Sequence, residues 1–211
     1  MLLFILMIHP RKWTGLLALA LAGWCPAQQA SQTRTALWER AKQEFLDKQF
    51  AASEADFREL LKIDGANIYV HLYFGHVLFR QEKYAEAVVP YEKAKAMNRT
   101  AHKLTDQERH ILTDQLVMAY GISGQLKKAH TLLDEAIQQD PEYPFNYFNL
   151  ACAYAEEGNK EKMLANIALA FQHKDHVLKG EQLPDPREDS SLQKYARDSD
   201  FINLMKKLGF Q

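Results

Sequence analysis

The side chains of this 211-residue chain that could do chemistry are eight histidines, two cysteines and 27 carboxylates. Spacing decides whether any of them can cooperate. The closest histidines able to share a helix face are His173 and His176, beside Asp175. Three such ligands could hold zinc. They fall where a helix is expected to end, however, and cationic side chains there are favoured by the helix dipole, so solvated capping accounts for them. His71, His76, His102, His110 and His130 are scattered. No Gly-rich phosphate loop, HExxH or GxSxG occurs. Ser123-Gly124 reads as a turn, and Asp134-Glu135 as a solvated helix face. Cys152 lies in the apolar stretch Leu150-Ala151-Cys152-Ala153-Tyr154, where a thiol is a small buried hydrophobe and not a nucleophile. The expectation is a chain without catalytic residues, metal ligands or a cofactor.

The elements that position these residues follow from composition and pattern. With 26 basic and 27 acidic residues the chain has no electrostatic footprint for a phosphate backbone, so nucleic acid is not an expected partner. An apolar fraction of 47% with nine glycines and seven prolines supports a sizeable folded core. Two cysteines build neither a disulfide framework nor a four-cysteine zinc site.

The amino terminus is apolar for a reason unrelated to folding. Arg11 and Lys12 precede the run Leu16 to Ala22, and Gly23-Trp24-Cys25-Pro26-Ala27 follows. Positive charge, a short apolar core and a small-residue exit form a signal peptide over residues 1–27, cut after Ala27. The apolar core is shorter than the roughly 20 residues a spanning helix needs, so no stable membrane span is expected after cleavage. An uncleaved anchor, helped by Met1 to Ile8, is the alternative, and a start at Met7 would leave a more usual basic leader. Lipid attachment at Cys25 is disfavoured by the bulky Trp24 before it. Cleavage would leave a net charge of minus three, a short tail over 28–33 and Cys152 as the single thiol, in a periplasmic or secreted protein.

Beyond residue 33 the chain repeats. Phe74-Gly75-x-x-Leu78 is followed by Tyr84, Ala87, Tyr91 and Ala94. Leu116-Val117-x-x-Tyr120 is followed by Leu126, Ala129, Leu133, Ala136 and Pro141, and Leu150-Ala151-x-x-Tyr154 by Gly158, Met163, Ile167 and Ala170. These segments resemble the 34-residue tetratricopeptide repeat. With the small residue of the first helix at position 8, units begin at Ile68, His110 and Pro144. One period earlier, Arg34 begins a weaker copy through Ala41, Phe50, Ser53, Phe57 and Leu60. Four units thus tile 34–177 as 34–67, 68–101, 110–143 and 144–177. The insertion 102–109 holds a capping box, Thr105-Asp106-Gln107-Glu108, and reads as a loop plus an early helical turn. Small residues at positions 8 and 20 let paired helices approach, and larger ones fill the spaces between. Gly65 and Pro141 are expected to stop second helices.

The resemblance implies an all-α, right-handed superhelical solenoid of antiparallel helix pairs. Residues 178–211 break the period. Gly180 to Asp189 reads as a surface linker, Ser190-Ser191-Leu192-Gln193 as a capping box, and Asp198 as the cap of a helix whose stripe of Phe201, Ile202, Leu204, Met205 and Leu208 covers the last open face. This ending is similar to that of many bacterial repeat proteins.

Members of the family are mostly scaffolds holding a peptide or helix along the concave side, lined by first-helix positions 2, 5 and 9. Here these are Thr35, Trp38 and Lys42; Tyr69, Leu72 and His76; Ile111, Asp114 and Met118; Phe145, Phe148 and Cys152. The groove this implies is aromatic and aliphatic, suited to an apolar segment of a protein or peptide partner. Coverage by the chain's own tail is the competing expectation. The carboxylate clamp of chaperone-binding relatives is absent in either register, Trp38, Lys42, Tyr73, Ile111 and Gln115, or Leu72, His76, Gln115, Phe145 and Asn149. An adaptor of the cell envelope is therefore expected, the alternative being a self-assembling structural component forming homo-oligomers.

Overall fold

In the computed structural model residues 26–210 are described, and residues 1–25, most of the expected signal peptide over 1–27, lie outside them. The described residues form α1 (Pro26–Leu46), α2 (Phe50–Asp64), α3 (Ile68–Arg80), α4 (Tyr84–Ala101), α5 (Asp106–Ile122), α6 (Leu126–Gln139), α7 (Pro144–Glu156), α8 (Lys160–Gln172) and α9 (Ser199–Lys207). Short 3-10 turns occur at Lys174–His176 and Gln193–Tyr195. No helix among the described residues is long and apolar enough to cross a membrane.

Each consecutive pair packs on itself and on the next, and the first helices α3, α5 and α7 also meet in a row. The close approaches occur where side chains are small. Ala41, Ala151, Ala87 and Ala129 are buried, and the hydroxyl of buried Ser53 donates to the Ala41 carbonyl at 2.8 Å, tying α2 to α1. Every turn within a pair passes through one residue of left-handed backbone: Lys48, Glu82, Gly124 and Gly158, at intervals of 34, 42 and 34 residues. Those are the intervals between the sequence units, with the insertion lengthening the middle one.

Helix starts follow local chemistry. Thr105 and Glu108 cap α5 reciprocally, the Glu108 N–H donating to Thr105 Oγ1 at 3.2 Å and the Thr105 N–H to Glu108 Oε2 at 2.8 Å. Asn67, Asn159 and Asp198 side chains accept from the first turns of α3, α8 and α9. Residues 102–105 form a tight connector after the left-handed His102, in which the Asn98 side chain accepts from Lys103 and Leu104 N–H groups.

Three expectations change. Residues 28–33 are not a tail: the segment contains no helix breaker and continues α1 from Pro26, a residue tolerated in a first turn. Ser190–Gln193 starts no α-helix. Leu192 is drawn wholly into the core and Asp189 takes the Ser191 N–H at 2.9 Å, leaving a 3-10 turn. In α9, Phe201 and Met205 are buried, but Ile202 is 36% exposed because it lies one residue off their i, i+4 face. The core has two parts, one spanning α1 to α7 and a second in which Phe148, Met163 and Ile167 meet Leu192, Phe201 and Met205.

Candidate functional site

The face formed by the first helices carries two neighbouring cavities. One, of about 330 Å³, lies between the end of α1, α3 and α5, lined by Phe45, Leu46, Lys48, Phe50, His76, Arg80, Ile111 and Gln115. The other, of about 510 Å³, lies between α5, α7 and the tail, and its lining includes Val117, Met118, Ile122, Asn149, Cys152, Glu156 and Asp189. Helix α5 divides them. Its stripe Ile111, Gln115, Met118 and Ile122 follows helical spacing and faces both; Met118 is 48% and Ile122 59% exposed. A third cavity, of about 470 Å³, holds Arg34, Thr35, Trp38 and Tyr69 at the α1–α3 edge.

The expected groove residues divide between this face and the interior. Ile111, Met118, His76 and Cys152 line the two cavities. Leu72 and Phe148 do not belong to the groove: they are 1% and 3% exposed and form core. Position 5 points into the seam between helix pairs, where an apolar side chain gains about 1.5–3 kcal/mol from burial. Trp38 is half-buried, edge-on to Phe57 at 5.8 Å and Tyr73 at 5.3 Å, with Lys42 over its ring at 5.6 Å. Tyr69 donates its hydroxyl to the Lys103 carbonyl at 3.0 Å, bracing the connector, and Phe145 stacks on Tyr143 at 5.5 Å. The cavities are lined chiefly from positions 6, 9 and 13 of each unit, as in Gln115, Met118 and Ile122 or Asn149, Cys152 and Glu156. The signal for position 13 was present in Leu46 and Ile122, large apolar residues equally placed in the 34-residue frame.

Two polar networks lie beneath the face. His76 Nδ1 meets Gln115 Oε1 at 2.6 Å and the Tyr91 hydroxyl at 2.9 Å, and Tyr91 donates to the same Gln115 oxygen, joining α3, α4 and α5. Burial holds His76 down to about 4, so the ring is neutral at physiological pH. In the second network Asp114 accepts from the Asn149 amide at 2.8 Å, while Tyr143 donates to Glu181 of the tail at 3.1 Å. Burial, followed by the nearby Glu181 charge, raises Asp114 to about 7. Burial and Asp189 push the Cys152 thiol well above its ordinary range, the setting of an inert cysteine.

His173 stacks on Tyr147 at 5.5 Å and lies 6.0 Å, ring to ring, from His176. Among the described residues no group of three histidine, cysteine or carboxylate side chains could hold a metal ion.

No protein-family model matches the sequence, and no curated protein does. Solved structures match the fold. The chain is similar to YrrB, described as a TPR protein with an unusual peptide-binding site, at TM-score 0.60 and 21% identity over 69% of this chain and 71% of that one. It is similar to BtubC (BKLC) from P. vanneervenii at TM-score 0.60 and 18% identity, over 90% of this chain and 81% of that one. The paired helices, their 34-residue spacing and these likenesses agree that the chain folds as an all-α solenoid of tetratricopeptide-like helix pairs.

Proposed function

We propose that the protein is a non-catalytic scaffold that holds an apolar segment of a protein partner across the face of α5. The observation that carries this reading is the stripe Ile111, Met118 and Ile122 between two cavities, with Met118 and Ile122 exposed and Ile111 half-buried. Large apolar side chains cost solubility when left exposed in a row, and an α5 face flanked by concavities is a surface against which a partner can exclude water. The description of YrrB as a peptide-binding protein supports the same use of the fold. In this reading the partner resides in the cell envelope, and residues 1–27 deliver the chain there as a cleaved signal.

Selection of displayed random peptides on the purified chain tests the groove. Binders rich in apolar residues are expected, and their affinity falls at least tenfold for Met118→Asp with Ile122→Asp at unchanged helical circular dichroism. Binders that ignore the double variant overturn the groove. An intact mass lighter by residues 1–27 for the chain recovered from the envelope is expected, and a full-length cytoplasmic chain overturns the location.

A further inference from the structure

Residues 178–191 lie between two fixed points. Upstream is the end of α8 and its 3-10 turn; downstream is Leu192, fully buried in the second core with α9. Between them the strap runs alongside α7 from its start to its end. Glu181 receives the Tyr143 hydroxyl at 3.1 Å and the Leu178 N–H at 3.1 Å. Leu183 packs on the second core, and Asp189, Ser190 and Ser191 form a wall of the cavity that holds Cys152 and Met118. Tyr195, beyond the strap, reaches the Ala155 carbonyl at 3.5 Å.

The strap thus covers α7 and leaves α5 open, so only half of the first-helix face is available. Its composition is that of a ligand more than of a core element. Seven of its residues, Lys179, Gly180, Gln182, Pro184, Arg187, Glu188 and Ser190, are exposed, Pro184 lies in its extended stretch, and its tie to the residue before α7 is one carboxylate on one phenol. Glu181 also brings a second carboxylate toward Asp114 on α5.

We infer that residues 178–191 are an intramolecular ligand of the groove, a strap held by Glu181 on Tyr143 that blocks the α7 half until it swings out. The inference rests on the groove reading above and supplies its regulation: a partner that engages α5 and α7 together must displace the strap, whose two ends stay anchored.

Cys152, beneath the strap, reports its position. In the full chain with Cys25→Ser, Cys152 is the single thiol. Its reaction with an aromatic disulfide reagent is expected to be slow, and at least tenfold faster in Glu181→Ala and in Tyr143→Phe at unchanged helical circular dichroism. Tyr143→Phe keeps the ring that stacks on His110 at 3.6 Å and leaves the strap sequence intact, so it guards against misfolding of the first variant. A labelled peptide of residues 178–191 is expected to bind Glu181→Ala at least tenfold more tightly than the parent. Thiol rates equal to the parent in both variants, or peptide affinity equal in variant and parent, would make the strap a permanent part of the cap and overturn the inference. Neither measurement involves a foreign partner, so its failure is separate from failure of the peptide selection.

Discussion

A carboxyl group enclosed by an amide, a phenol and a second carboxylate is comfortable only while it keeps its proton. Asp114 is such a group: Asn149 and Tyr143 surround it, Glu181 faces it from the strap, and His110 with Asp140 lies on the other side of the Tyr143 ring. Its ordinary value of 3.8 rises to about 7 in the folded chain. The folded state therefore binds this proton more tightly than the unfolded one. The stabilisation is complete below about pH 4, shrinks as pH rises, and is gone above about pH 7. Glu54 runs the other way. Burial pushes it up, but hydrogen bonds from Lys83, Arg58 and Gln81 outweigh that and bring it to about 2, so its contribution is lost only as pH falls from about 4.5 toward 2. Melting temperatures between pH 4.5 and 8 should thus fall with pH more steeply for the parent than for Asp114→Asn, and parallel curves would contradict the burial of a titrating Asp114.

At the scale of elements, the helix pairs are set by where side chains are missing. Gly75 of α3 is the sharpest case: a Cβ there would meet the ring of Tyr91 on α4 at 2.4 Å, and Tyr91 is fully buried with its hydroxyl engaged. Gly75→Ala is expected to cost about 1–3 kcal/mol, the range for overpacking a core, read as a lower urea midpoint at constant slope. Small residues at this position and its partners were legible in the sequence because close approach leaves a compositional mark. Pro90 shows the opposite case, a residue whose place depends on packing. It lies inside α4, where it removes a backbone hydrogen bond, yet its ring is buried and packing carries the helix through. The α9 cap Asp198 was legible for the opposite reason, since a cap is a contact between neighbours in sequence, taking the Asp200 and Phe201 N–H groups at 2.9 and 3.2 Å.

For the whole molecule, a stack of pairs must end somewhere, and α9 with Leu192 closes it. Phe201 and Met205 enter the second core with Met163 and Ile167, while Lys160 at the start of α8 holds Asp198 at 3.0 Å and Asp200 at 2.8 Å. Nearest-neighbour coupling makes the last pair dependent on this cover. Phe201→Ala should therefore destabilise the chain by about 3–5 kcal/mol, with amide exchange accelerating in α7 and α8 before α1 to α4. Uniform acceleration along the chain would contradict the two-part core.

The repeat period, the four helix pairs and the presence of a terminal cap were determined by the sequence alone, because each is written in contacts between residues within one unit or the next. Which residues remain open on the first-helix face was decided only in the tertiary structure. Leu72 and Phe148 are as apolar as Met118 and Ile122, and their period differs by a fraction of a turn. Their fate depends on the rotation of each helix against its neighbours, and on a strap whose Glu181 meets Tyr143 across 38 residues of chain. No local pattern records such a meeting, since it follows from how the stacked pairs divide buried surface between the core and the tail.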